Sequence, residues 1–308
     1  MKRRVALASA LLLGLALLFV PTMMANALSA AVPGAKPSPT CHGNGVKACT
    51  PTTTTTTTTS SSSSSTTTEP PGSWSCVQVG DVDCGPYAYA KITNSNGYNT
   101  YTSTDCWGHP GCGYKLESNN PGDFQVTATE PAGNTAVLSY PNAQQLTNNW
   151  NPATRNFTGS SDLPRAGMSI VSSYSEDMNE TTGTASQAAW DIWTSSGELM
   201  IWVDEVGRGS GGAQACDTGV LSGHAFTYYV YGGSGGGCSG GLPIIKLDTN
   251  LRAGVIDIGA ALDYFTSVGQ FTAGGTISQI NFGWEVCSTG GIPQTYQMLD
   301  YSLTLTTL

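Results

Sequence analysis

Apolar and polar residues alternate over most of the chain from residue 73 onward. In DFQVTATE (123–130), Phe, Val and Ala alternate with Gln and Thr, which is the period of a β-strand with one buried face. Similar segments follow, separated by Gly, Asn, Ser or Pro. They are TAVLSYPN, GMSIVSSYS, QAAWDIWTS, GELMIWVDE, AFTYYVYGG, PIIKLDT, GVIDI, ISQINFGWEV and MLDYSLTLT. About ten or more strands in a stretch of this length predict an all-β fold built as one large β-sandwich.

One segment has the period of a helix instead. In DIGAALDYFTSVG (257–269), apolar residues recur three or four positions apart, as on one face of an amphipathic helix. Asp257 is placed to cap the first turn and Gly269 to end the helix. The sequence therefore predicts a single helix that packs against the outside of the sandwich through Ile258, Ala261, Leu262, Phe265 and Val268.

The N-terminal segment 1–27 has the organisation of a signal peptide. Three basic residues at positions 2–4 precede an apolar run over 5–20, and the triplet Ala-Asn-Ala follows at 25–27, as in a cleavage site. The apolar run is shorter than the roughly 20 residues that span a bilayer, so an uncleaved anchor is the less favoured alternative. We therefore expect a secreted, extracellular protein with no membrane association after cleavage.

Residues 28–72 are predicted to be a tether. Cys41 and Cys49 in CHGNGVKAC could close one small loop, and residues 50–72 are mainly Ser, Thr and Pro, a composition typical of linkers and O-glycosylated stalks. The roughly 20 residues ahead of this tract are too few for a module with its own core. The folded domain is therefore predicted to be 73–308.

The charge balance restricts the partners. Without residues 1–27 the chain keeps nine of its 12 basic residues and all 21 acidic residues, which gives a net charge of −12. A protein this acidic repels phosphate backbones and anionic lipids. Nucleic acid is therefore excluded as a partner.

The cysteines indicate an oxidising compartment. There are nine in the chain, a usage typical of exported proteins with disulfides. Apart from Cys41 and Cys49, the number in the folded domain is odd, so at least one thiol stays unpaired or bonds another chain. These seven are Cys76, Cys84, Cys106, Cys112, Cys216, Cys238 and Cys287, and their connectivity is not determined by the sequence.

Metal and cofactor chemistry is not indicated. None of the three histidines, at positions 42, 109 and 224, has metal-ligand spacing to another. His109 lies between Cys106 and Cys112, but a disulfide explains these cysteines better than zinc in an exported chain. No nucleophile-elbow sequence supports a Ser-His-Asp triad, and the glycines of 232–241 lack the residues of a phosphate-binding loop. We expect no metal and no cofactor.

Carboxylates next to aromatic residues are the remaining chemical signal. On a strand over GELMIWVDE, Glu198, Met200, Trp202 and Asp204 share one face. Indoles beside acids suit sugars, whose C–H faces stack on aromatic rings while their hydroxyls form hydrogen bonds. The alternative is that the tryptophans belong to the core, and we favour it for Trp190 and Trp284, each of which neighbours an acid and faces away from it.

Strand geometry selects the acids that could act together. Glu198 and Asp204 lie about 20 Å apart along a strand at roughly 3.3 Å per residue, whereas a retaining glycosidase needs its two carboxyls about 5 to 5.5 Å apart. Asp204 and Glu205 are therefore predicted to end the strand in solvent. Glu285 is the best partner from another strand, because it shares a face with Asn281 and Gly283, as the floor of a cleft permits.

Three segments together resemble one family. AAWDIW (188–193), GELMIWVDEVGRG (197–209) and INFGWEVCSTGG (280–291) are similar, in this order, to sequences of glycoside hydrolase family 12, the small retaining endoglucanases. VLSYPN, FTYYVYGG and the amphipathic helix support the resemblance, which covers most of residues 124–308. The pairing of Glu-x-Met-Ile-Trp with a later Gly-aromatic-Glu is more specific than either motif alone.

The resemblance implies a fold, an activity and roles for particular residues. It implies a concanavalin-like β-jelly roll of two curved antiparallel sheets, whose concave sheet binds a β-1,4-glucan chain such as cellulose, mixed-linkage glucan or xyloglucan. By motif position, Glu198 would be the nucleophile, Glu285 the general acid/base, and Asp191 the hydrogen-bond donor to the nucleophile. Met200, Trp202 and Asn281 would line the cleft. Such an enzyme needs no cofactor, and we expect a monomer.

One segment departs from the family pattern. The family has an Asn-Asn-x-Trp-like segment near the start of the domain, whose tryptophan stacks on a sugar. Here residues 92–107 read ITNSNGYNTYTSTDCW, so Tyr98, Tyr101 or Trp107 would take that role. The competing interpretations are a non-catalytic carbohydrate-binding jelly roll, a structural wall or surface protein, and the related family 11 xylanases.

Overall fold

The computed structural model describes residues 74–87, 100–107, 112–146, 150–151, 156–157, 163–178 and 181–307. The predicted signal peptide, cysteine loop and linker lie outside these residues. In chain order, the strands are β1 (Cys76–Val79), β2 (Asp83–Tyr87), β3 (Thr100–Ser103), β4 (Lys115–Asn120), β5 (Asp123–Ala128), β6 (Asn142–Leu146), β7 (Trp150–Asn151), β8 (Asn156–Phe157), β9 (Leu163–Pro164), β10 (Met168–Met178), β11 (Thr184–Thr194), β12 (Gly197–Val206), β13 (Gln214–Leu221), β14 (His224–Tyr231), β15 (Leu242–Leu247), β16 (Ala253–Asp257), β17 (Thr276–Thr289) and β18 (Gln294–Thr307). Helix α1 (Ile258–Ser267) follows β16.

Two large sheets form a β-jelly roll, which confirms the predicted fold class. The six-stranded sheet has the order β1-β4-β5-β18-β10-β16. The ten-stranded sheet has the order β13-β14-β15-β12-β11-β17-β6-β3-β2, with β9 also beside β17. It carries Asp191, Glu198 and Glu285 and is hereafter called the site sheet. All pairs are antiparallel except β12 with β15. The parallel pair arises because β15 leaves the hairpin of β13 and β14 and inserts between β14 and β12.

The predicted strand over TAVLSYPN is the main local difference. Strand β6 begins only at Asn142, and the preceding residues contact β17 through the isolated bridge between Ser139 and Val286. Pro141 has no N–H to donate to a ladder, which interrupts regular pairing at this point.

The core lies between the sheets and is strongly aromatic. Trp190 and Trp284 are both fully buried in it, as predicted for these two tryptophans. The ring centroids of Trp190 and Phe282 are 4.3 Å apart, and Tyr174 packs edge-on to Trp190 at 5.0 Å. Contacts of this kind add about 0.5 to 1.5 kcal/mol each beyond the burial of apolar area.

The predicted helix is confirmed and packs against β10. The carboxylate of Asp257 accepts a hydrogen bond of 2.9 Å from the backbone N–H of Ala260, which satisfies one exposed donor of the first turn. The buried face includes Ile258, Leu262 and Phe265. Among the described residues, no helix has both the length and the apolar composition needed to span a membrane.

Within the described residues, three disulfides connect six cysteines. They are Cys76–Cys84, Cys106–Cys112 and Cys216–Cys238. The second confirms the disulfide favoured over zinc for the cysteines flanking His109. Cys287, the odd cysteine of the folded domain, is a buried thiol on β17.

Candidate active site

One row of side chains crosses the face of the site sheet that points away from the core. Successive strand partners define it, from β3 to β14. Residues next in sequence to the row, such as Trp190 and Phe282, belong to the core, whereas Met200 of the row packs in a second, smaller apolar cluster. The row therefore lies on the outer face. Its members are Tyr101, Gln144, Asn281, Asp191, Met200, Ile244 and Tyr229.

Asp191 and Glu198 lie close together on this face. Asp191 pairs with Met200, and Trp193 pairs with Glu198, so the two acids are diagonal neighbours, about 7 to 8 Å apart and within reach of long side chains. Asp191 is 2% exposed, and the indole Nε1 of Trp193 donates a 3.0 Å hydrogen bond to its Oδ2. The structure thus brings together the predicted nucleophile and its predicted neighbour.

Glu285 lies further along the same face. It is 5% exposed, and its Oε2 accepts a hydrogen bond from the side-chain amide of Gln187. The Oε1 of Gln187 accepts a 2.7 Å hydrogen bond from Nε of Arg208. Glu285 therefore has a defined polar environment formed by β11 and by the loop after β12.

Tyr140 lies close to both Asp191 and Glu285. Its hydroxyl is 2.9 Å from the carbonyl oxygen of Ala189 and 3.1 Å from that of Asn281. Burial raises the pKa of Tyr140 well above its ordinary value, and the charges of Asp191 and then Glu285 raise it further. The phenol is therefore neutral, and it donates to backbone carbonyls of β11 and β17.

Glu198 and Glu285 lie on the two strands that flank β11, on the same outer face. Glu198 faces Trp193, whereas Glu285 faces Gln187, and these partners are six residues apart on β11. Asp191 is therefore closer in register to Glu198 than Glu285 is. A retaining pair needs its two carboxyls about 5 to 5.5 Å apart, a spacing that depends on the curvature of the sheet and the reach of both side chains as well as on the register.

Several buried polar atoms on this face lack hydrogen-bond partners among the described residues. They include Nε1 of Trp202, a donor, and Oδ1 of Asn281, an acceptor. Buried polar groups of this kind usually have a partner, so each exception calls for an explanation. Met200, Trp202, Ala189 and Ile244 surround this region with apolar surface, flanked by Tyr229, Tyr231 and Leu242.

The prediction for Asp204 was wrong. The register shifts between Ala188, which pairs with Asp204, and Ala189, which pairs with Trp202. This bulge at Val203 turns Asp204 from the outer face into the core, where it is 1% exposed. Glu205 is only half-buried and forms an ion pair of 3.1 Å with Lys246.

The three candidates for sugar stacking have different outcomes. Tyr98 lies outside the described residues. Tyr101 is in the row itself and faces Gln144. Trp107 is half-buried beyond the end of β3, where its backbone N–H donates to the carbonyl of Leu138.

Three residues of this region, Gln187, Tyr140 and Arg208, were not predicted from the sequence. The position of Gln187 could have been predicted, because it alternates with Ala189 and Asp191 and so lies on the same strand face as Asp191. Tyr140 lies within VLSYPN, which supported the family resemblance but had no assigned role. Arg208 lies in a loop, where no periodicity indicates direction.

Comparison with solved structures identifies the class of fold. No protein-family model and no curated protein sequence matches the chain. The xyloglucanase domain of NopAA, a type three effector from Sinorhizobium fredii, solved in complex with cellobiose, is 18% identical with a TM-score of 0.57, covering 75% of this chain and 99% of that one. The family 12 xyloglucanase from Bacillus licheniformis is 18% identical with a TM-score of 0.55, covering 73% and 99%. Endoglucanase cel12A from Rhodothermus marinus is 17% identical with a TM-score of 0.55, covering 74% and 100%. The chain therefore has the jelly-roll fold of family 12 glycoside hydrolases, which confirms the resemblance at the level of fold.

Proposed function

We propose that this protein is a secreted, monomeric glycoside hydrolase that cleaves internal bonds of β-1,4-glucan. Its fold is shared with solved xyloglucanases and endoglucanases, one of them in complex with cellobiose. Secretion is proposed from the N-terminal segment 1–27, which has the features of a signal peptide. Cellulose, mixed-linkage glucan and xyloglucan are the proposed substrates.

The observation that carries this proposal is the combination of acids and partnerless polar atoms on one sheet face. Asp191, Glu198 and Glu285 lie on three neighbouring strands of the site sheet. Beside them, the buried Nε1 of Trp202 and Oδ1 of Asn281 supply a donor and an acceptor without described partners. Sugar hydroxyls both donate and accept hydrogen bonds, so a bound glucan would satisfy both atoms.

Roles are assigned by motif position. Glu198 attacks the anomeric carbon as a carboxylate, while Glu285 gives its proton to the glycosidic oxygen of the departing chain. Water then attacks the glycosyl-enzyme, loses its proton to Glu285 and releases Glu198. Asp191, which accepts from Trp193 through Oδ2, supports the nucleophile beside it. Retaining catalysis requires the carboxyls of Glu198 and Glu285 to lie about 5 to 5.5 Å apart across the cleft.

The proposal is tested with a panel of soluble glucans. Wild-type protein should release reducing ends from mixed-linkage glucan, xyloglucan or carboxymethyl cellulose and lower the viscosity of the solution early, as an endo-acting enzyme does. Xylan in the panel separates this activity from that of a xylanase. Chain binding without hydrolysis of any glucan would instead identify a carbohydrate-binding protein.

A further inference from the structure

We propose that Arg208 and Gln187 act as positioning residues that fix which oxygen of Glu285 holds the catalytic proton. In this arrangement Oε2 accepts from Gln187, and Oε1 carries the proton that is given to the glycosidic oxygen. The inference rests on the proposed function, because it assigns a device to the general acid/base of that reaction. Gln187, Arg208 and Glu285 are hereafter called the relay.

The first step is the fixed position of Arg208. The carboxylate of Glu205 accepts hydrogen bonds of 3.0 Å from the backbone N–H groups of Arg208 and Gly209. Lys246 holds the other oxygen of Glu205 at 3.1 Å. Gly207 has φ +65°, and a Cβ there would lie 2.3 Å from the carbonyl oxygen of Thr184, so the chain makes a close turn that only glycine permits. This loop directs Arg208 back across β12 and β11.

The second step is the orientation of Gln187. Arg208 donates from Nε to Oε1 of Gln187 at 2.7 Å, and from Nη1 to the carbonyl of Thr135 at 3.0 Å and to the sulfur of Cys287 at 2.9 Å. A guanidinium has donors only. The amide oxygen of Gln187 must therefore face Arg208, which assigns the NH₂ group to the side of Glu285.

The third step is the effect on Glu285. Gln187 and Glu285 are direct strand partners and both are buried. Because Oε2 accepts from the amide, the proton of the neutral acid is favoured on Oε1. The same hydrogen bond favours the charged carboxylate and so lowers the pKa of Glu285, while burial and neighbouring acids act in the opposite direction.

The groups around Glu285 define what else can influence its titration. Arg208 acts through Gln187 from the loop after β12. Tyr140 lies on the segment before β6 and Asp191 on β11, both on this face, with Tyr140 close enough to Glu285 for its pKa to be raised by that charge. Cys287 follows two residues later on the same strand and contacts Arg208. Glu205 of β12 faces Gln187 from the other side and is paired with Lys246, so Arg208 and Lys246 supply the positive charges close to the relay.

The test is the pH dependence of kcat/KM on soluble β-glucan for Gln187 and Arg208 variants. The basic limb reports loss of the proton from the general acid. Gln187→Leu removes the donor and should move this limb upward by about one pH unit. Gln187→Glu keeps the shape but adds a negative charge, so the limb should move at least as far.

Arg208 variants test the second link of the relay. Arg208→Met releases the Gln187 amide and should move the limb in the same upward direction, whereas Arg208→Lys, which keeps a donor and a positive charge, should restore part of the wild-type profile. Glu117→Gln is the matched control. Glu117 lies on β4 of the six-stranded sheet in a surface ion pair with Lys115, so this variant should keep the basic limb of the wild-type pH profile.

The outcomes separate the two proposals. A wild-type protein that hydrolyses none of the glucans contradicts the proposed function. An active wild type whose basic limb is unchanged in both Gln187→Glu and Arg208→Met contradicts the relay alone. A loss of activity at all pH values with an unmoved limb indicates a merely structural role and also overturns the relay. Thermal melts of each variant identify any that fail to fold, and the near-isosteric Gln187→Glu keeps the test available.

Discussion

The core and the outer face of the site sheet both hold buried acids, yet their surroundings differ. In the core, Glu176 is 2% exposed, its Oε2 accepts a 2.8 Å hydrogen bond from Nε1 of Trp284, and burial together with the nearby Asp204 raises its pKa. On the outer face, Glu285 shares its side of the sheet with a small apolar cluster and with buried polar atoms that have no hydrogen-bond partner among the described residues. Trp284 and Glu285 are consecutive residues of β17, so one strand serves both regions.

The difference shows that burial alone does not identify a catalytic carboxyl. Glu176 and Asp204 are enclosed between the sheets, where Arg252 approaches Asp204 at 3.5 Å, and no substrate reaches such a position. Two neighbouring buried carboxyls keep a proton between them because like charges repel, and this proton affects the stability of the fold rather than its chemistry. The acids of the outer face differ in their surroundings. Their side of the sheet also carries Nε1 of Trp202 and Oδ1 of Asn281, which have no hydrogen-bond partner among the described residues.

The largest expected effect comes from Glu198→Gln. Loss of the nucleophile should lower kcat on soluble β-glucan by about 10⁵-fold or more, while oligosaccharide binding measured by calorimetry stays close to wild type. Glu117→Gln serves as the control and should keep full activity. Retained hydrolysis in Glu198→Gln would show that Glu198 is not the nucleophile, and the outer face would then lack the catalytic role that separates it from the core.

Glu285→Gln should have a smaller effect that depends on the leaving group. Removal of a general acid costs about 10²- to 10⁴-fold on a glucan chain. An aryl β-cellobioside with an acidic phenol leaves without protonation, so its glycosylation step should be nearly unaffected and a burst of phenol should precede slow turnover. Equal losses on both substrates would argue against Glu285 as the acid.

The core pair predicts a pH dependence of stability. Burial raises the pKa of Glu176 to about 8, and the charge of Asp204 adds to this against the hydrogen bond from Trp284. The folded state therefore binds the proton more tightly than the unfolded state, in which glutamate titrates near 4.5. The stability contributed by this proton is present below about pH 4.5 and is lost as pH rises toward 8, by up to about 5 kcal/mol.

Urea unfolding from pH 5 to pH 8.5 measures this effect. Wild-type stability should fall across the range, and Glu176→Gln, which stays neutral, should flatten that part of the curve. Glu117→Gln on the surface should leave the slope unchanged. A wild-type stability that rises with pH between 5 and 8 would contradict the assignment of a shared proton in the core.

The smallest expected effect concerns the indole N–H of Trp202. Trp202→Phe removes this donor but keeps the apolar surface, so binding of a cello-oligosaccharide by the Glu198→Gln background should weaken by about 1 kcal/mol, or roughly fivefold. Trp74→Phe, at the start of the described residues, is the matched control. An unchanged affinity would show that Nε1 of Trp202 does not contact the sugar.

The features that follow from local patterns were predicted from the sequence. Alternation gave the strands around Glu198 and Glu285, and apolar spacing with Asp257 as N-cap gave helix α1. The positions of Trp190 and Trp284 followed from their acidic neighbours on the opposite faces. These features depend on a few consecutive residues, which is why a single sequence is sufficient.

The features that depend on strand pairing were not predicted. The bulge that turns Asp204 into the core arises from the register between β11 and β12. The parallel contact of β15 with β12 arises because β15 inserts between β14 and β12. The offset between Glu198 and Glu285 is likewise a property of three paired strands. Arg208 reaches Gln187 only through a loop conformation set by Glu205 and Gly207.

The most direct test of the central claim, that the outer face carries out double displacement with Glu198 and Glu285, is the anomeric form of the first product. Proton NMR of a cello-oligosaccharide or β-glucan digest, recorded before mutarotation, should show the β-anomer appearing first. Initial release of the α-anomer would contradict the covalent role of Glu198 and its pairing with Glu285.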